Sequence, residues 1–178
     1  GGGLLASYVQ TICDAIYCIG HYDTAPGLVD DINCYVVDRR FFRAMLYHTK
    51  IRTFGDVPWI DKALTTSDTD LLYGSKMKRE DVMANIIKDI DFAIRWLPEE
   101  PASGRLSKYV ALQLKARMCL HEATYYRYHN MASATLITDL LTKAANAADS
   151  VITSGKFEVY NTGNPDSDYY DMFLIDDN

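Results

Sequence analysis

The stretch Asp81–Leu97, DVMANIIKDIDFAIRWL, decides the fold. Val82, Ile86, Ile90, Ala93, Ile94 and Leu97 recur at the spacing that gathers side chains onto one face of an α-helix. Asn85, Lys88, Asp89 and Arg95 fall away from that stripe. Pro98, which has no N–H to continue the ladder, ends the helix. A helix with a single apolar face must bury it against another element, so the segments on either side are read for partners.

Upstream, Ile32–Phe54 contains no Pro or Gly, and Tyr35, Val36, Phe42, Met45, Tyr47 and Ile51 repeat with a helical period. This predicts a long helix stopped by Gly55-Asp56-Val57-Pro58, where Gly supplies the left-handed exit. Leu4–Ile19 reads as an earlier helix closed by Gly20, and His21–Asp31 as an exposed loop carrying Pro26 and Gly27. Trp59–Lys78 loses the period and turns rich in Thr, Ser and Asp, which marks a long ordered connection or a functional loop.

Downstream, Glu99–Leu106 is a turn-rich linker and Ser107 an N-cap for a helix over Lys108–Tyr128. Its expected buried stripe is Leu112, Ala116, Cys119, Leu120 and Ala123, with Lys108, Lys115, Glu122 and Arg127 in water. A further helix over Ala134–Ser154 carries Ile137, Leu141, Ala144, Ala148 and Val151 and ends at Gly155, its small residues allowing close helix approach. In the tail, Phe157–Tyr160 is strand-like and an Asp- and Asn-rich aromatic stretch follows. Large residues on one helix facing Ala on the next describe a hairpin that closes its core by stacking on a neighbour. The expectation is an all-α fold of about five helices, stacked as divergent tetratricopeptide-type hairpins, with residues 1–178 forming one helical region.

Composition narrows the function. With 18 basic against 24 acidic residues, a net charge of -6 and 178 residues in all, the chain lacks the cationic excess that phosphate neutralisation requires. Arg39, Arg40, Arg43, Lys50 and Arg52 do interleave with Phe41, Phe42 and Tyr47, a pattern able to grip single-stranded nucleic acid. The acidic helix and the Asp-rich loops offer those cations partners within the fold, so no nucleic-acid role is expected. Cys13, Cys18, Cys34 and Cys119 show no paired spacing and read as free thiols. The chain opens Gly1-Gly2-Gly3-Leu4 without initiator Met or signal segment, which reads as a fragment of a larger protein, the glycines being a cloning scar or an unassigned stretch.

Nucleophile-elbow, Walker, dinucleotide-binding and zinc-protease motifs are all missing from the sequence. His121-Glu122 begins like the last of these, but Tyr125 stands where the second His belongs, and a helix-surface pair is the preferred reading. Asn164, Asp166 and Asp168 open like a calcium loop, yet Tyr169 and Ile175 occupy the places that need Gly and Glu. No metal or cofactor is expected. A metal hydrolase hidden in the Asp-rich tail is the weakest of the functions weighed.

Five segments in order carry a family resemblance. Asp38-Arg39-Arg40-Phe41-Phe42-Arg43-Ala44 with Phe54-Gly55-Asp56-Val57-Pro58 resembles the "ARFFRA…FGDVP" signature of SusD/RagB-like proteins. Lys78–Val82 through Asp89–Ala93 and Leu97-Pro98 is similar to that family's "REEV…DLDFAI..LP" helix, and Gly104–Lys108 with Ala111-Leu112 and Lys115–Arg117 to its "GRLTK..A..LKAR". Ala147-Ala148, Ser154–Lys156 and Tyr170–Phe173 are similar to its closing segment. Arg39 and the loosely fitting N-terminal quarter depart from the pattern.

The resemblance implies the N-terminal portion of a larger SusD-like fold, in a non-catalytic nutrient-binding protein of the outer-membrane cell surface of a Bacteroidetes-type bacterium. Such proteins hold the membrane through a lipid anchor, outside this chain, and capture oligosaccharide or peptide for a TonB-dependent, SusC-like transporter without a cofactor. It assigns Arg43 to ion pairing on the helix face, and Gly55, Asp56 and Pro58 to the exit turn. A generic helical-repeat scaffold for protein partners is the alternative. For a ligand, His21, Tyr22 and Asp23 combine an aromatic plane with polar edges, as sugar recognition requires, and Trp59 and Tyr73 are further loop aromatics.

Overall fold

A computed structural model describes residues 29–61, 64, 67–69 and 73–174; the expected helix over Leu4–Ile19 lies outside them. Helix α1, Val29–Phe54, starts three residues before the expected Ile32, inside the segment read as a loop, and ends where Gly55 at φ +72° turns the chain and donates its N–H to the Ile51 carbonyl at 3.1 Å. That dihedral is open to glycine and strained for residues with a Cβ, so the Gly sets the exit. Helix α2, Arg79–Trp96, starts two residues before the expected Asp81 and hands over to extended Leu97 before Pro98.

Helix α3, Lys108–His129, is capped by the Ser107 hydroxyl, which accepts from Val110 N–H at 3.3 Å, and leaves through left-handed Asn130. Helix α4, Ala134–Thr153, is capped in the same way by Ser133 accepting from Leu136 N–H. Each cap satisfies a backbone donor that the first helical turn leaves without a partner. The one-turn helix α5, Asp168–Asp171, completes the described set. The fold is all-α, and among the described residues the extended pairing is a single bridge between Val57 and Met77. Phe157–Tyr160, strand-like in sequence, has no regular secondary structure and joins no ladder among those residues.

Consecutive helices pack on one another: α1 on α2, α2 on α3 and α3 on α4, with slight direct contact between α1 and α3. Tyr47 and Ile51 of α1, Ile86 and Ile90 of α2, Met118 of α3 and Leu140 of α4 are fully buried in one continuous core. Full burial of an aliphatic side chain of this size contributes about 1.5–3 kcal/mol.

The stripes differ from expectation in detail. Phe42 is 42% exposed because Phe41 takes the core position and holds it edge-on at 5.3 Å. Leu120, expected inside, is 52% exposed. In α4 the apolar sector is wide and α3 covers one side of it, burying Leu140, Ala144 and Ala147. Ile137, Leu141, Ala148 and Val151 are left half-buried at its margin.

Candidate functional site

The junction between α1 and α2 is built from the Gly55–Pro58 turn. Beyond it, Met77 N–H donates to the Val57 carbonyl at 3.1 Å, and the Asp56 carboxylate accepts from the Arg79 N–H at 2.9 Å. Asp56 therefore serves the start of α2 from 23 residues upstream, a place where negative charge is favoured by the exposed amide donors. Trp59 packs on Tyr47 with ring centroids 4.3 Å apart, the Tyr47 hydroxyl accepts from Ile60 N–H at 2.9 Å, and the Arg43 guanidinium lies 5.1 Å over the Trp59 ring. Trp59 is thus half-buried at the base of the connection, whereas Tyr73 is 86% exposed farther along it. His21, Tyr22 and Asp23 lie outside the described residues.

Two buried ion pairs join the three helices. Arg43 of α1 holds Asp89 of α2 bidentately, Nε to Oδ2 at 2.6 Å and Nη2 to Oδ1 at 2.8 Å. Arg40 approaches the same carboxylate at 3.6 Å and lies 4.2 Å over the Phe92 ring. Arg40 and Arg43 of the basic run thus have an acidic partner inside the fold. Arg79 of α2 holds Glu122 of α3 in the same fork, at 2.7 and 2.8 Å, with its guanidinium 3.8 Å over the Tyr125 ring. The planar fork of Arg matches a carboxylate edge-on and still offers its face to an aromatic ring.

These pairs correct two expectations. Asp89 is 2% exposed although it falls off the apolar stripe, and Glu122, expected in water, is fully buried. Burial by itself would push the Glu122 carboxyl up, but hydrogen bonds from Arg79 outweigh it and hold the group at about 2. His121-Glu122 is therefore not a surface pair. His121 Nδ1 stands 3.1 Å, and His48 Nε2 of α1 3.5 Å, from Glu122 Oε1. Burial lowers the His121 imidazole below its ordinary value. The sequence did hold a signal for this cluster: His48 continues the buried stripe of Phe41, Ala44 and Ile51, and Glu122 follows Met118 and Cys119 on theirs. A polar residue in such a stripe calls for a partner.

Elsewhere, Phe41, Met45, Tyr109, Leu114, Val151 and Phe157 border an open, mostly apolar groove of about 590 Å³. The sequence reading missed it, since it forms only where α1, α3 and α4 converge on the tail. In the calcium-like segment, the Asp168 carboxylate turns onto Thr162, accepting from its backbone N–H at 3.1 and 3.2 Å and from its hydroxyl. Tyr169 and Tyr170 stand exposed beside it.

No family model matches the chain. By sequence it is 33% identical over 105 residues to SusD-like protein P2 of Formosa agariphila, a match covering 56% of this chain and 19% of that protein. By structure it superposes with a TM-score of 0.74 on a SusD-like protein from Bacteroides fragilis NCTC 9343, at 19% identity over 91% of this chain and 28% of that one. A SusD-like carbohydrate binding protein from the same organism gives 0.67 at 18% identity, over 90% of this chain and 29% of that one. The chain is similar in sequence to a SusD-like protein over 105 residues, shares the fold of these SusD-like structures, and spans less than a third of the length of these relatives.

Proposed function

We propose that this SusD-like chain is the helical portion of a larger cell-surface protein that binds nutrient glycans and passes them to a TonB-dependent outer-membrane transporter. The observation that carries the proposal is the joint match: 33% sequence identity to a SusD-like protein and a superposition over about nine-tenths of the chain on a SusD-like structure. That one such structure belongs to a carbohydrate binding protein favours oligosaccharide over peptide as the ligand. In this reading the chain works by binding, without catalysis or cofactor, and a lipid anchor elsewhere in the protein holds it at the membrane. No helix among the described residues is long and apolar enough to cross a bilayer.

The ion pairs and the pinned turn give the scaffold its rigidity, and the loops carry recognition. Tyr73 offers a free aromatic face on a connection whose base Trp59 fixes, and His21, Tyr22 and Asp23 supply a second candidate loop. Titration calorimetry of the full-length protein against a panel of oligosaccharides and peptides tests the reading. Binding of one glycan class, together with co-purification of a β-barrel transporter, is the expected result. Absence of binding to every member and of any transporter would leave the helical-repeat scaffold as the better description. Tyr73→Ala is expected to weaken glycan binding about tenfold, or about 1.4 kcal/mol; a change under about twofold would remove Tyr73 from the site.

A further inference from the structure

We infer that His48, His121 and Glu122 form a three-ligand site for a divalent transition metal of the zinc type, clamping α1 to α3. The three side chains come from two helices, and one ligand atom from each lies within 4.8 Å of the others. A tetrahedral ion bound at about 2.0 Å to each donor sets neighbouring donors about 3.3 Å apart. The observed separations from Glu122 Oε1, 3.1 Å to His121 Nδ1 and 3.5 Å to His48 Nε2, straddle that value. The two imidazole donors lie within 4.8 Å of each other, so they close by at most about 1.5 Å for a metal to reach all three.

His48 points independently to a ligand. Its side chain is 91% buried, at 9% relative exposure, and its Nε2 makes no hydrogen bond. A buried nitrogen left in that state is costly, and a neutral imidazole nitrogen with a free lone pair is what zinc takes. The donor set of two imidazoles and one carboxylate suits zinc, with a fourth place for water. His121, 37% exposed at its side chain, opens the cluster to solvent and gives the ion an entry path.

Arg79 is the opposing term. Its guanidinium takes one lone pair of Glu122 Oε1 and one of Oε2, leaving a second lone pair on Oε1 for the metal. The cation raises the cost of bringing another positive charge beside it, so micromolar rather than nanomolar affinity is expected. The metal takes the place of the His121 Nδ1 proton, which moves to the other ring nitrogen of the same imidazole. Since α1 and α3 otherwise touch only slightly, the ion would act as a cross-link between helices not adjacent in the stack.

Zinc chloride titrated calorimetrically into the chelator-treated full-length protein, with cobalt absorption as a reporter of tetrahedral geometry, tests this. The wild type is expected to bind one equivalent with a dissociation constant of about 10 μM or tighter. His121→Ala, at a partly exposed position that spares the fold, and His48→Gln should each weaken binding at least about tenfold, while His129→Ala leaves it unchanged. Circular dichroism checks that each variant is folded. Failure of the wild type to bind zinc at about 100 μM, or unchanged affinity in folded His121→Ala, would overturn the assignment.

Discussion

Asp89→Asn removes the charge that Arg43 was built around while leaving the side chain's volume in place. Asp89 is 2% exposed, receives two hydrogen bonds of 2.6 and 2.8 Å from Arg43, and has Arg40 at 3.6 Å. The substitution leaves two guanidinium groups facing a neutral amide at a buried joint. Breaking a buried pair from one side costs about 3–5 kcal/mol, chiefly because the surviving charge remains desolvated. With a urea dependence of about 2 kcal/mol per molar, a loss of about 3 kcal/mol lowers the unfolding midpoint by about 1.5 M. Trp59, whose ring lies 5.1 Å from the Arg43 guanidinium, provides a fluorescence probe at the joint itself. The double replacement Arg43→Met with Asp89→Leu removes the buried guanidinium together with its partner, leaving only Arg40, whose side chain is 31% exposed, and should recover most of the loss. A single variant whose midpoint moves by less than about 0.3 M, or a double variant worse than the single, would refute the reasoning.

Three further outcomes follow from the packing. Gly55→Ala meets open space but must hold φ +72°, so about 1–2 kcal/mol of backbone strain should appear in the denaturation midpoint. Leu140→Ala, at a position 1% exposed, should cost about 2–5 kcal/mol by the same assay, whereas Leu120→Ala at 52% exposure should cost under about 0.5 kcal/mol. Burial raises the Cys119 thiol to about 11, so its reactive thiolate is scarce at pH 8. Peptide mapping after iodoacetamide should find Cys119 alkylated at least about tenfold more slowly in native protein than in urea.

The four long helices among the described residues were legible in the sequence because their boundaries are chemical. Gly55, Pro98, Ser107 and Gly155 mark boundaries by conformational freedom, a missing donor or a capping oxygen, and these act locally. Asp89 was misread because periodicity sees one face of a helix at a time, and Glu122 because its charge was set above its place on the stripe of Met118 and Cys119. Helix α2 has neighbours on two sides, so residues off the main stripe are buried as well. His48 and Glu122 meet across 74 positions of chain, a juxtaposition that no local pattern contains. Tyr73 and Trp59 looked alike as loop aromatics. The stack on Tyr47 separates them, and it depends on how α1 faces the returning connection.

The two ion pairs also bear on alignment. A helix packed by aliphatic side chains alone can slide along its neighbour by one turn, about 5.4 Å, and still find apolar contacts. Arg43 with Asp89 fixes α1 against α2, and Arg79 with Glu122 fixes α2 against α3, so a slide of one turn would part a bidentate fork inside the core. The joint of α3 with α4 closes instead on Leu140, Ala144 and Ala147. Among the described residues, two joints of the stack are indexed by charge, and the third is held by apolar packing and a short capped turn.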